Sequence, residues 1–228
     1  DRVRAGNYPT RPDEVTGDDW GKVYIPEGAP GRVPLPEFTL ICDYVASGGG
    51  FGDPLDREPE AVARDAKSGA TSMEIARKIY GVVIDPDSFS VDILRTEALR
   101  REIQEQRLKA GKLLRSSTRP KDEGRAWKRQ IRIHEYLEIA QNGGERLIRC
   151  IRCGYFFCRP EENYKHYSLK RIVGLDQIAV RPLPSQEPYL GRYHEYICPG
   201  CGTLLQVDVF CPALGGEEDL WDLRIDLP

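Results

Sequence analysis

Hydrophobic and polar positions follow three rhythms along this chain of 228 residues. Residues 1–36 show almost none. "GKVYIPEGAPGRVPLPE" interleaves Pro and Gly with single apolar residues, which predicts extended chain lying on something larger. "FTLICDYV" (38–45) is a β-rich apolar run and predicts a buried strand; the glycine loop "SGGGFGDP" (47–54) follows it. Helical patterning then begins. One short helix is expected from Pro59 to Lys67, with Pro in its first turn and Gly69 past its end. A second carries Thr71 three residues before Glu74, a capping box, and stops at Gly81. "VVID" and "SFSV" flank Pro86-Asp87 and predict a short hairpin.

"DILRTEALRREIQEQRLKAGKLL" (92–114) predicts a long polar helix capped by Asp92. Its apolar face is thin: Leu94, Leu99, Ile103 and Leu108. Such a helix lies on a partner surface rather than standing alone. "RSSTRPKDEGR" (115–125) reads as a linker and marks a domain boundary. Beyond it the period changes to two. Ile131, Ile133, Leu137 and Ile139 share one face and Asn142-Gly143 supplies a turn, so a β-hairpin is preferred over a helix for 126–140. "RYHEYICPGCGTLLQVDVF" reads as a second strand pair with a cysteine knuckle at its bend. The expected class is α+β: an extended N-terminal segment with short helices, then a β-rich zinc-ribbon domain. The parts are 1–114, the linker 115–125 and the domain 126–228.

Charge changes this picture in one place. The net charge is −3, but residues 93–140 carry 7 acids and 13 bases between acidic flanks of net −7 and −2. A basic middle suits nucleic acid or an acidic protein surface. Few aromatic residues are interleaved with the bases, so the protein surface is the preferred reading. Mean hydropathy is −0.50 and no apolar run approaches the roughly 20 residues a membrane helix needs, so no membrane partner is expected. The start, "DRVRAGNYPTRPDEV", has no hydrophobic signal region, and a cytoplasmic location is expected.

Seven cysteines in such a chain point to metal before disulfides. Cys150-x-x-Cys153 and Cys198-x-x-Cys201 each place two thiolates on a tight turn. Gly154 and Gly202 follow the second cysteine of each pair, where a knuckle needs a positive φ. Four thiolates suit tetrahedral zinc. A redox pair would want one motif at a strand-to-helix junction, and an iron–sulfur cluster would use the same ligand type; paired knuckles on hairpins favour zinc. Cys158 and Cys211 have the wrong spacing for a knuckle and read as small buried groups, as does Cys42 in its apolar run. A closed four-thiolate site has no position for a reacting water, so it is structural. "SGGGFGDP" lacks a Gly-Lys-Ser/Thr, and Asp53 stands where a third glycine of G-x-G-x-x-G belongs, so a tight turn is preferred over a nucleotide loop. His134, His166 and His194 are scattered, and of these only His166 has polar, basic neighbours. No catalytic residue and no cofactor-binding residue is found.

Two stretches resemble known families. "GGGFGDPLDREPEAVARDAKSGATSMEIARKIYGVVID", within 38–85, resembles the C-terminal end of hydantoinase B/5-oxoprolinase-type large subunits. "IHEYLEI", "IRCIRCGYFFC", "ENYKHYSLKR" and "YHEYICPGCGTLLQVDVFCP", within 130–228, resemble the gamma subunit of acetone carboxylase and its acetophenone carboxylase relatives. The resemblance implies ATP-dependent carboxylation of a ketone with bicarbonate, in a hetero-oligomer with large hydantoinase A/B-like subunits. ATP and a catalytic divalent metal are expected on those partners, because the body of the large subunit is absent here. The alternatives are a subunit of an ATP-dependent hydantoinase or lactamase complex, and a nucleic-acid-binding zinc ribbon using 107–132. The acidic net charge argues against the last.

Overall fold

The computed structural model describes residues 5, 50–117, 126–174, 191–214 and 225. The strand expected at 38–45 and the extended 1–36 lie outside them. Backbone contacts divide the chain into Asp1–Gly49 and Gly50–Pro228, and every described helix and strand belongs to the second unit. Its helices are α1 (Pro59–Ser68), α2 (Met73–Lys78) and α3 (Ile93–Ala110). The strands are β1 (Lys112–Leu113), β2 (Lys128–Arg132), β3 (Leu137–Asn142), β4 (Glu145–Cys150), β5 (Leu169–Gly174), β6 (Arg192–Ile197) and β7 (Leu204–Phe210). They form two antiparallel sheets, β2-β3-β4 and β1-β5-β6-β7. The α+β class expected from the patterning is what the chain adopts.

Local chemistry accounts for the helix ends. Asp92 caps α3 by accepting from Arg95 N–H. Gly69, at φ 78°, closes α1. The cap of α2 is displaced from the expected position: Ser72, not Thr71, accepts from Ile75 N–H, and Glu74 instead takes Lys78 one turn on. Ser72 competes successfully because its extended backbone aims the hydroxyl at the free N–H of the first turn. Ser72→Ala is expected to cost about 1 kcal/mol, read as faster hydrogen exchange confined to residues 73–79. The expected hairpin at 82–91 reduces to one bridge, Ile84 to Val91, because Asp85 gathers Asp87 N–H, Ser88 N–H and the Ser88 hydroxyl into a wide turn. At the β3–β4 turn Asn142 stays in the ladder opposite Glu145, so the bend is Gly143-Gly144, one residue later than expected.

Helix α3 departs most from its predicted face. Leu94 is 79% exposed, whereas Thr96 and Arg107 are buried and Arg100 and Ile103 half-buried. The stripe 96, 100, 103, 107 has helical spacing but is mostly polar. Val83 N–H donates to Thr96 Oγ1 at 3.0 Å; Arg100 donates to the carbonyls of Tyr80 and Arg57. Polar anchors to backbone groups replace the apolar contacts that periodicity looks for. The helix also ends at Ala110, four residues early, and Lys112–Leu113 turn into the edge strand beside β5.

One main core lies around the sheets: Tyr136, Leu137, Ile139, Ile148, Phe157, Tyr164, Tyr167 and Leu205, with Cys150, Cys158 and Cys198. Val62, Ala76 and Val82 make a smaller one between α1, α2 and the turn after them. Beside the main core Lys165, fully buried, donates to Asp208 at 2.8 Å and lies over the Tyr196 ring. Most of the expected linker, 118–125, lies outside the described residues; the elements on its two sides belong to the same compact unit.

Candidate metal centre

Two hairpins make the site. After β4 the chain folds back, with Ile148 N–H donating to Cys158 O and Phe157 N–H to Ile148 O. Cys150 and Cys153 occupy that bend. Between β6 and β7, Cys198 and Cys201 occupy the other. The bends are built alike. Gly154 N–H donates to Cys150 O at 2.9 Å and Gly202 N–H to Cys198 O at 3.0 Å; Cys150 N–H donates to Tyr155 O and Cys198 N–H to Thr203 O. Gly154 has φ 74° and Gly202 φ 72°, the conformation that glycine adopts without strain.

These bends bring the four predicted sulfurs within 4.8 Å of one another, with Cys153 to Cys198 at 3.6 Å and Cys150 to Cys201 at 3.9 Å. Sulfurs about 2.3 Å from a tetrahedral zinc ion are about 3.8 Å apart. The donor set and spacing therefore fit a four-thiolate metal ion. Gly200 explains how closely the knuckles approach. A Cβ there would stand 2.7 Å from Cys153 Sγ and 3.0 Å from Tyr155 Cβ. Gly200→Ala is expected to push the sulfurs apart and lower metal affinity at least about tenfold, read by competition with a chromophoric chelator.

The sulfurs also disturb one another's acidity. Hydrogen bonding with Cys150 first, then Cys198, lowers the Cys153 thiol to about 7. Hydrogen bonds with Cys150, Cys153 and Cys198, and further with Thr203 Oγ1 at 3.1 Å, hold Cys201 below the usual thiol range. Cys150 and Cys198 are held above it, Cys150 mainly by Cys153 and Cys198 mainly by Cys150. Four thiolates this close need a cation between them before all can be charged.

No histidine joins the group among the described residues. His194 is buried and stacks on Phe210, His134 lies against Tyr136 and Tyr164, and His166 sits in the turn Tyr164–Tyr167, its carbonyl accepting from Arg115 N–H. Cys158 is buried in the core and burial raises its thiol; Cys211 is half-buried; neither is in the group. Cys42 lies outside the described residues.

The residue that sequence reasoning missed is Asp53. Its carboxylate is buried, with Oδ1 accepting from Leu55 N–H, and Oδ2 from Arg107 Nη1 at 2.7 Å and Leu204 N–H at 2.8 Å. Its own N–H donates to the Tyr136 hydroxyl, which donates in turn to Asp56. Burial and the Asp56 hydrogen bond raise the Tyr136 phenol well above its ordinary range. The glycine loop is thus a buttress against the second knuckle, not a phosphate loop. The one legible hint was Asp-Pro after glycines, where an Asp side chain caps the following turn. Arg107, counted in the basic stretch 107–132, is buried in this ion pair and unavailable to nucleic acid.

Fold and site together define a four-cysteine ribbon module carrying a helical arm. Residues 126–227, which include all four sulfur ligands, match the family model described as acetone carboxylase gamma subunit. Among curated proteins the chain is 41% identical over 75 residues to the acetone carboxylase alpha subunit of Xanthobacter autotrophicus (strain ATCC BAA-1158 / Py2), covering 32% of this chain and 10% of that protein. It is 37% identical over 74 residues to the acetophenone carboxylase delta subunit of Aromatoleum aromaticum, covering 32% and 10%. It is 46% identical over 54 residues to a putative D-/L-hydantoinase B-type chain of Pseudomonas sp. (strain NS671), covering 24% and 9%. The matched stretches span about a tenth of these relatives' length. Both resemblances read from the sequence are therefore found. Among the described residues no helix is long and apolar enough to cross a membrane.

Proposed function

We propose that this chain is a small, zinc-binding, non-catalytic subunit of an ATP-dependent ketone carboxylase complex of the acetone/acetophenone type, with bicarbonate as co-substrate. The observation that carries the reading is the gamma-subunit match over 126–227, the stretch that supplies all four converging sulfurs. Cys150, Cys153, Cys198 and Cys201 hold the zinc. Four protein thiolates fill a tetrahedron, so the ion cross-links two hairpins and has no open position for substrate or water. Its contribution is folding energy.

In this proposal the partners are large hydantoinase A/B-like subunits in the cytoplasm, and they carry ATP and the catalytic divalent metal. The division into a hydantoinase-B-like tail (1–114), a linker (115–125) and a gamma-like ribbon domain (126–228) is one of ancestry, since tail and ribbon pack into one unit. The test is purification of the complex from its source, followed by assays of ATP-dependent incorporation of labelled bicarbonate into acetone and acetophenone. Larger chains co-purifying with ketone carboxylation support the proposal. A chain that purifies as a lone monomer defeats it. A second reading, a subunit of an ATP-dependent hydantoinase, draws on the hydantoinase relative; ring hydrolysis without bicarbonate fixation would select it.

A further inference from the structure

The metal site and the glycine-loop arm share one set of anchors, although their sequences resemble different kinds of subunit. Asp53 is tied to the second knuckle by Leu204 N–H and, through Arg107, by the Gly202 carbonyl at 3.3 Å. Gly202 and Thr203 follow the ligand Cys201 directly. A Cβ on Gly202 would lie 2.6 Å from the Gln104 carbonyl, so α3 rests on this knuckle's backbone. The first knuckle reaches the same loop from the other side. Arg152, between Cys150 and Cys153, pairs with Asp56 at 2.5 Å, covers the Tyr136 ring and approaches Thr203 Oγ1 at 3.5 Å. Ile151 N–H donates to Tyr136 O, and the Tyr136 hydroxyl accepts from Asp53 N–H. Both routes to Asp53 therefore start within three residues of a sulfur ligand.

We propose that this is a metal-operated clasp: metal at the four cysteines fixes the two knuckles as a receptor for the Asp53 loop and the end of α3, and loss of metal releases both. This rests on the metal reading above. The physical reason is that the receptor is backbone, not side chain. Gly202 O, Leu204 N–H and Ile151 N–H hold their directions only while the knuckles are closed. Once they drift, the buried Asp53–Arg107 pair loses its neutral partners and gains by moving into water. The coupling is reciprocal, so anything that weakens the clasp weakens metal retention by the same factor.

The experiment uses the full chain, zinc-loaded and then stripped with chelator, under hydrogen exchange read by mass spectrometry. Stripping is expected to remove protection from residues 52–57 and 103–111 together with the knuckles, and to leave α1 and α2 at their original rates. Readdition of zinc restores it. In parallel, Asp53→Asn, which keeps the shape and removes the charge, is expected to lower zinc affinity about tenfold by this reciprocity. Zinc that binds stoichiometrically while 103–111 stays protected after stripping overturns the clasp and leaves the metal reading standing. Asp53→Asn with unchanged zinc affinity overturns it as well. A wild-type chain that takes up no zinc overturns both readings, which separates the two failures. The stripped and reloaded wild type needs no variant to fold.

Discussion

Cys198→Ser is expected to bind no stoichiometric zinc and to abolish the cooperative unfolding transition of the ribbon. Cys198 is fully buried at the exit of β6, part of the main core and of the sulfur group at once. Its replacement leaves three thiolates and a hydroxyl that zinc binds poorly. Structural zinc contributes about 10–16 kcal/mol of apparent binding free energy in small zinc domains, against about 5–15 kcal/mol for the whole stability of a typical fold. The loss exceeds what the two short sheets hold in reserve. Elemental analysis gives zinc per chain, and a thermal melt followed by near-ultraviolet circular dichroism gives the transition. Cys158→Ser supplies the contrast. Cys158 is as buried, but it donates to Glu162 O and lies outside the sulfur group. It should keep its zinc and lose only about 1–3 kcal/mol for the altered buried group. Wild-type melting with zinc retained in Cys198→Ser would remove the structural role of the site.

What was legible beforehand divides along a physical line. Cys150, Cys153, Cys198 and Cys201 could be read because a knuckle is local: ligands three apart, a glycine after them, strands on each side. The β3–β4 hairpin could be read for the same reason, with its turn misplaced by one residue. The docking of the arm could not. Asp53 meets Arg107 across 54 residues and Leu204 across 151, and neither pairing leaves a periodic trace. The polar stripe of α3 hid in the same way. A search for apolar spacing selected Leu94, which points to water, and passed over Thr96 and Arg107, whose partners are backbone groups and a distant carboxylate. Aspartate in a glycine-rich loop is ordinarily a turn residue, and only the tertiary structure shows this one as the peg between arm and ribbon.

That peg makes the second large effect. Arg107→Met, similar in volume, leaves the Asp53 carboxylate buried with Leu204 and Leu55 N–H groups but no cation. Side-chain exposure is 0% for Asp53 and 7% for Arg107, so water screens neither. Removing one member of a buried pair costs about 3–5 kcal/mol, most of it the stranded charge. The urea midpoint of the purified chain should fall accordingly. The sign of a second step separates charge from packing. Adding Asp53→Asn to Arg107→Met removes the stranded charge while an amide oxygen can still accept from Leu204 N–H. The double variant should then be more stable than Arg107→Met alone, a non-additivity that two independent packing defects would not produce. Equal or greater loss in the double variant would mean that Arg107 acts by filling space against Gln104 and Gly202, and that the arm is held by shape and not by its ion pair.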